Sequence, residues 1–337
     1  MPAIEVEHLS KTFVTSVKQS GIGGSLKSLV RPERREVHAV KALSFQIEEG
    51  ERLAFIGPNG AGKSTTIKML VGILHPSAGR ARVLDKIPWQ QRQELAYRIG
   101  AVFGQKSQLW YHLPAADSFD LLARIYEIQR ESYRERLAFL INLFEIAPYF
   151  HVPVRKLSLG QRMRCEIAAS LLHRPTILFL DEPTIGLDVV VKQRIRDLIL
   201  QLNQQEGVTI FLTSHDAGDV EILCRRAMVI NHGDLIYDGS VNALKHTYLR
   251  TKTVSLKLGE SWEGFKAPGV TVLKRKGYGV KLRVDTDVTP IAEVVNRLLT
   301  RYTIADINVD NPPMEEVIAQ IYQESREPIS QQERENP

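Results

Sequence analysis

At 337 residues the chain is long enough for one large domain and one small one. Charged residues make up 25% and the formal net charge is +5, without the clustered basicity of a nucleic-acid binder, so no nucleic-acid partner is expected. No tract approaches the roughly 18 to 20 apolar residues that span a bilayer and the first residues hold no apolar leader core, so any membrane passage is expected to come from another polypeptide.

In chain order, Ile4-Glu5-Val6-Glu7-His8-Leu9 reads as a first strand that Phe13 closes. Residues 14 to 36 then carry four glycine or proline positions and a basic excess, Lys18, Lys27, Arg31, Arg34 and Arg35 against Glu33 and Glu36. The default reading is a solvated loop; contact with anionic lipid headgroups or a membrane subunit is the alternative, and both stay open. Apolar Leu53-Ala54-Phe55-Ile56 leads into Gly57-Pro58-Asn59-Gly60-Ala61-Gly62-Lys63-Ser64, and Thr66 to Leu70 continues as a helix. Strand, glycine-rich loop and helix make a P-loop: backbone N–H groups wrap a phosphate chain, Lys63 reaches its terminal phosphates, and Ser64 offers a hydroxyl to Mg²⁺.

Strand Gly100-Ala101-Val102-Phe103 is followed by Gln105, whose amide oxygen suits Mg²⁺ or water. Leu109-Trp110-Tyr111-His112-Leu113-Pro114 comes next, its aromatic pair either lining a partner groove or packing locally. Ser118 to Tyr126 and Tyr133 to Phe144 have helical apolar spacing. Leu157-Ser158-Leu159-Gly160-Gln161 opens a further helix. Ile177-Leu178-Phe179-Leu180 has the continuous apolarity of a strand buried on both faces of a parallel sheet, and it delivers Asp181 and Glu182 to its carboxyl end, where such sheets bind ligands. Asp181 is expected to hold Mg²⁺ through the metal's water shell and Glu182 to polarise the water that attacks the γ-phosphate. Strand Thr209 to Leu212 places Thr213, Ser214 and His215 at the same edge, with His215 able to hydrogen-bond that phosphate or water. Cys165 and Cys224 fall in expected helices without metal-ligand spacing, which fits inert thiols in a reducing compartment.

Over residues 1 to about 240 these segments resemble the nucleotide-binding subunit of an ABC transporter. Gly57, Pro58, Asn59, Gly60, Ala61, Gly62, Lys63 and Ser64, with Thr65, resemble its Walker A loop, Gln105 its Q-loop, and Ser158, Leu159, Gly160 and Gln161 its signature. Ile177 to Glu182 resembles the Walker B strand, Gly186-Leu187-Asp188 the D-loop, and His215 the switch histidine. The resemblance implies an α/β P-loop NTPase core with an ABC-type antiparallel β subdomain and a helical signature subdomain at about 106–165. It also implies that two such subunits pair head to tail around two ATP molecules, each signature completing the other's site, as a homodimer or a heterodimer with a related ATPase. Leu159 stands where the family usually has glycine, and Ile185-Gly186 where it commonly has Ser-Ala. The adenine-stacking aromatic would be Phe13, or His38 beyond the insertion.

Past the hairpin of 227–237 the chemistry-bearing motifs stop. A helix and linker at 241–252 precede strand Thr253 to Leu258, a hairpin from Val270 to Val284, a helix from Thr289 to Tyr302, strand Ile304 to Val309 and a final helix capped by Asn311 and Pro312. Residues 253–325 are thus expected to be a small α+β C-terminal domain, similar to extensions on ABC-2-type exporter ATPases, and 326–337 a polar disordered tail. The expected function is ATP hydrolysis, with Mg²⁺, that drives a separate transmembrane permease, in the export direction, from the cytoplasmic face of the plasma membrane. A soluble assembly or remodelling ATPase and an importer ATPase are the alternatives, and the cargo is not encoded here.

Overall fold

In the computed structural model the described residues are 2–17, 33–104, 107–214, 216–248 and 251–310. They fall into two compact units, Met1–Asp238 and Gly239–Pro337.

The first unit is built on a six-stranded sheet and a three-stranded one. The chain opens with β1 (Pro2–Val17) and β2 (Glu33–Glu48), an antiparallel pair that β4 (Ala78–Val83) extends on the other side of β1. The large sheet has the order β5 (Ile99–Phe103), β6 (Ile177–Asp181), β7 (Thr209–Ser214), β3 (Arg52–Ile56), β8 (Arg226–Asn231) and β9 (Asp234–Ser240). Its β5, β6, β7, β3 and β8 run parallel. Parallel strands covered on both faces need apolar side chains on both, which is why Phe55, Phe179 and Phe211 lie fully buried in one connected core with Ile4, Ile47 and Ile67. The sheet order 5-6-7-3-8 puts the carboxyl ends of β3, β6 and β7 side by side, and this positions the site.

Helix α1 (Lys63–Leu70) follows β3, and the short α2 (Arg92–Ala96) precedes β5. Three helices fill the interval between β5 and β6: α3 (Ala115–Ile125), α4 (Arg130–Phe144) and α5 (Leu159–Ser170). Helix α3 buries Ala115, Phe119, Leu122 and Ala123 along one stripe and leaves Leu121 and Ile125 exposed. Between β6 and β7 runs α6 (Val189–Glu206), whose Ile195, Leu198, Ile199 and Leu202 repeat at helical spacing and which stops at Gly207 with φ 66°. The seven-residue α7 (Ala217–Leu223) links β7 to β8.

In the second unit α8 (Val241–Tyr248) leads to β10 (Thr251–Leu258), β11 (Val270–Lys276), β12 (Gly279–Asp285), α9 (Ile291–Arg301) and β13 (Ile304–Asp310). The antiparallel sheet order is β11-β12-β10-β13. Val254, Leu256, Leu282 and Val284 face Val294 and Leu298 of α9, and Trp262 stacks on Tyr302 at 5.0 Å between centroids. The described part of this unit is α+β; the expected final helix and tail lie outside the described residues.

Four expectations need correction. The stretch 14–36 is not simply a loop, because the hairpin continues through Val14↔Glu36 to Val17↔Glu33. The first flank, Val14-Thr15-Ser16-Val17, holds three β-branched residues suited to a strand, and Glu33 to Glu36 pair with it although they hold none; residues 18–32 lie outside the described residues. Phe13 therefore sits within β1 and does not end it. Of the segment 241–252, helix and strand account for all but the two undescribed positions 249 and 250. Cys224 follows α7 in extended conformation instead of lying in a helix. Both cysteines are buried, and desolvation pushes the Cys165 thiol up to about 12, which fits chemical inertness.

Candidate functional site

The loop 57–62 is shaped by what crowds it. A Cβ on Gly57 would come 2.4 Å from the Ile230 carbonyl oxygen, and one on Gly62 2.3 Å from that of Ala39, while Gly62 holds φ 112°. Only glycine fits between β2 and β8 at these positions. The loop is further tied down by Gly233 N–H donating to the Ala61 carbonyl at 3.0 Å.

Lys63 opens α1 and is 5% exposed. Its Nζ donates to the carbonyls of Gly57 (2.7 Å) and Pro58 (3.3 Å) and lies 3.7 Å from Glu182 Oε1. Burial lowers the ammonium's pKa from its ordinary value, and the charges of Glu182 and Asp181 oppose that shift. Ser64 Oγ donates to Asp181 Oδ1 at 3.2 Å, and Thr213 Oγ1 donates to the same oxygen at 2.5 Å. Thr213 was named in the sequence only as a hydroxyl at a strand end; its partner is 32 positions away and becomes its neighbour through the parallel pairing of β6 with β7. Gly104 N–H donates to the Asp181 carbonyl (2.9 Å) and Glu182 N–H to the Thr213 carbonyl (3.0 Å), which fixes the ends of three strands together. Glu182 leaves β6 with φ 56°, a left-handed conformation uncommon outside glycine.

These residues surround a cavity of about 560 Å³, within the range of small-molecule sites. Its wall includes Gly60, Lys63, Ser64, Asp181 and Glu182, with Ala39, Ile73 and Phe103 supplying apolar surface. Phe13 and His38 are not in that wall. Lys11 Nζ stands over the Phe13 ring at 5.3 Å, and His38 Nδ1 hydrogen-bonds Thr12 Oγ1 at 3.0 Å. The apolar wall could be read from sequence only at Phe103, which ends the strand before Gln105. Among the described residues no group of three or more His, Cys, Asp or Glu side chains gathers as a metal cage. One hydroxyl and one carboxylate beside a cavity suit a hard cation such as Mg²⁺, which keeps water and substrate oxygens as its other ligands.

The signature turn is elsewhere. Ser158 caps α5: its Oγ accepts from Gln161 N–H at 3.2 Å, and Gln161 Oε1 accepts from Ser158 N–H at 2.9 Å. Gly160 packs so closely on Val191 that a Cβ would lie 2.5 Å from Val191 Cγ1, and Leu159 is 37% exposed. None of Ser158 to Gln161 lines the 560 Å³ cavity. Asp188 caps α6, accepting from Val191 N–H at 2.9 Å. Gln105 and His215 lie outside the described residues.

The family described as "ABC transporter" matches residues 40–185. The ABC transporter ATP-binding protein NatA of Bacillus subtilis (strain 168) is 34% identical over 212 residues, 63% of this chain and 86% of that protein. This chain belongs to the ABC transporter family. It is an ATP-binding subunit and an ATP hydrolase. The linearmycin resistance ATP-binding protein LnrL of the same bacterium is 29% identical to this ATPase over 278 residues, 80% of this chain and 87% of that one. A fluoroquinolones export ATP-binding protein of Mycobacterium tuberculosis (strain ATCC 25618 / H37Rv) is 37% identical over 207 residues, 61% and 67%. Among solved structures, CbiO1 from Clostridium perfringens, part of the ABC transporter complex cbiONQ, matches with TM-score 0.59 and 28% identity, over 74% of this chain and 95% of that one. A dimeric ATP-binding cassette bound to ADP and Pi has the same fold, with TM-score 0.59 and 23% identity, over 71% and 98%. Among the described residues of the ATPase no helix is long and apolar enough to cross a membrane.

Proposed function

We propose that the ATPase binds Mg-ATP in the cavity at Gly57–Thr65 and hydrolyses it as one half of a head-to-tail pair that drives a separate transmembrane permease in the export direction, from the cytoplasmic face of the plasma membrane. The observation that carries the pairing is the separation of parts: the phosphate loop, Asp181 and Glu182 share one cavity, while none of Ser158 to Gln161 of the same chain lines it. A turn with an N-terminal helix dipole and a hydroxyl suits a phosphate, so Ser158, Leu159, Gly160 and Gln161 are assigned to the nucleotide of the second copy. The name of the fluoroquinolones export ATP-binding protein supports the direction. Residues 1–240 are assigned as the ATP-binding domain, with 106–165 its helical part, and 253–325 as a separate C-terminal domain.

In this reading the backbone N–H groups from Gly60 to Thr65 cradle the phosphates, and Lys63 leaves the loop carbonyls for the terminal phosphate oxygens. Ser64 and Asp181 would hold Mg²⁺, with Gln105 as a further oxygen donor; the ion would supply charge neutralisation at the phosphates. Glu182 accepts a proton from water as the water oxygen bonds to the γ-phosphorus, and the breaking bond leaves its electron pair on ADP. His215 is assigned to the γ-phosphate and Asp188 to the contact between copies.

The test is an affinity purification of the Glu182→Gln variant with ATP from gently solubilised native membranes. Recovery of a multi-span protein in stoichiometric amount is expected. Recovery of soluble partners alone would replace the transport reading with an assembly or remodelling role.

A further inference from the structure

Asp219 of α7 is completely buried, yet it belongs to none of the motifs assigned above. Its Oδ2 accepts hydrogen bonds from Thr184 Oγ1 at 2.5 Å and Ser214 Oγ at 2.7 Å, and its Oδ1 pairs with Arg196 Nε at 2.7 Å. Thr184 stands two residues beyond Glu182, Ser214 is the last residue of β7, and Arg196 comes from α6, the helix that Asp188 caps. Both hydroxyl residues are 2% exposed. Arg196 Nη2 continues to Asp216 Oδ1 at 3.0 Å, Lys192 pairs with the other Asp216 oxygen, and Asp216 N–H donates to Ser214 Oγ at 2.9 Å. Room for the guanidinium is kept by Gly218, where a Cβ would lie 2.9 Å from Nη2.

A carboxylate removed from water must be matched by donors, and Arg196 alone would neutralise it. The two hydroxyls come instead from the turn after Glu182 and from the end of β7. Within the turn after Glu182 the local backbone bonds are long, Ile185 N–H to the Glu182 carbonyl at 3.3 Å and Leu187 N–H to the Thr184 carbonyl at 3.2 Å, while Glu182 N–H is tied to the Thr213 carbonyl of β7 at 3.0 Å. Glu182 sits there with a left-handed φ that its surroundings must maintain.

We propose that Asp219, through Thr184 and Ser214, is a clamp that positions Glu182 against the cavity and registers it to α6. The proposal rests on the reading of Glu182 as the group that activates water. Asp219, Thr184 and Ser214 are positioning residues; none of them lines the cavity.

The experiment measures kcat, KM for Mg-ATP and the thermal midpoint of the full-length chain carrying Thr184→Val, Thr184→Ser or Ser214→Ala, beside Glu182→Gln. Thr184→Val keeps the shape and removes the donated hydrogen bond, so kcat is expected to fall about tenfold with KM within about twofold. Thr184→Ser restores the hydroxyl and is expected to return kcat to within about threefold of the parent. Ser214→Ala should lower kcat in the same sense without raising KM. Parent-like kcat in Thr184→Val would overturn the clamp, as would equal losses in the Val and Ser variants that track the thermal midpoint. Near-normal turnover in Glu182→Gln would instead remove the reading on which the clamp rests.

Discussion

Glu182 carries the heaviest chemical assignment of any single side chain here. It lies 3.7 Å from Lys63 and on the wall of the 560 Å³ cavity. Glu182→Gln retains the size and removes the base, so ATP binding should persist while hydrolysis slows by about 10² to 10⁴; single-turnover assays of bound ATP read both. Gly186 offers a second test at the same scale. It holds φ 72°, and a Cβ there would lie 3.3 Å from Leu159 Cδ2. The two departures from the family pattern therefore touch: a leucine in the signature turn meets a glycine in the turn before α6. Gly186→Ala should lower the thermal midpoint through both backbone strain and crowding. Adding Leu159→Gly should recover only the crowding part, because the left-handed φ remains.

Elements with a strong period or a buried run were readable directly, and those set by distant pairing were not. The P-loop and the β6 carboxylates stood out because Leu53–Ile56 and Ile177–Leu180 are continuous apolar runs that end in polar residues, and parallel strands put such ends on one edge. The long β1–β2 hairpin was hidden because its register joins residues across an insertion of glycines and charges. The contact of Leu159 with Gly186 and that of Thr213 with Asp181 also needed the fold, since nothing local brings them together. Packing between α5 and β5 has its own consequence. His173, just past α5, stacks on Tyr126 at 3.9 Å and hydrogen-bonds the Ile99 carbonyl through Nε2 at 2.9 Å, while its buried Nδ1 has no partner. Burial, the largest cause, lowers its pKa from 6.5 to about 4. A pKa depressed on folding contributes stability that is full above the unfolded value and lost as pH falls through the folded one. Thermal midpoints should therefore drop between about pH 6.5 and 4 through this residue, and His173→Gln should flatten that limb of the profile.

For the whole molecule, the central claim is that one copy does not contain a complete hydrolytic site. The phosphate loop and both carboxylates line one cavity, and the signature turn, capped by its own Gln161, lies outside it. Pairing then becomes a consequence of binding ATP, and slow hydrolysis should hold the pair closed. Sedimentation of purified Glu182→Gln with saturating Mg-ATP measures this most directly. The account predicts a shift from the mass of one 38.1 kDa chain to twice that mass, abolished by Ser158→Arg while each chain still binds ATP. An ATP-saturated chain that stays at its single mass, or a pair indifferent to Ser158→Arg, would contradict it.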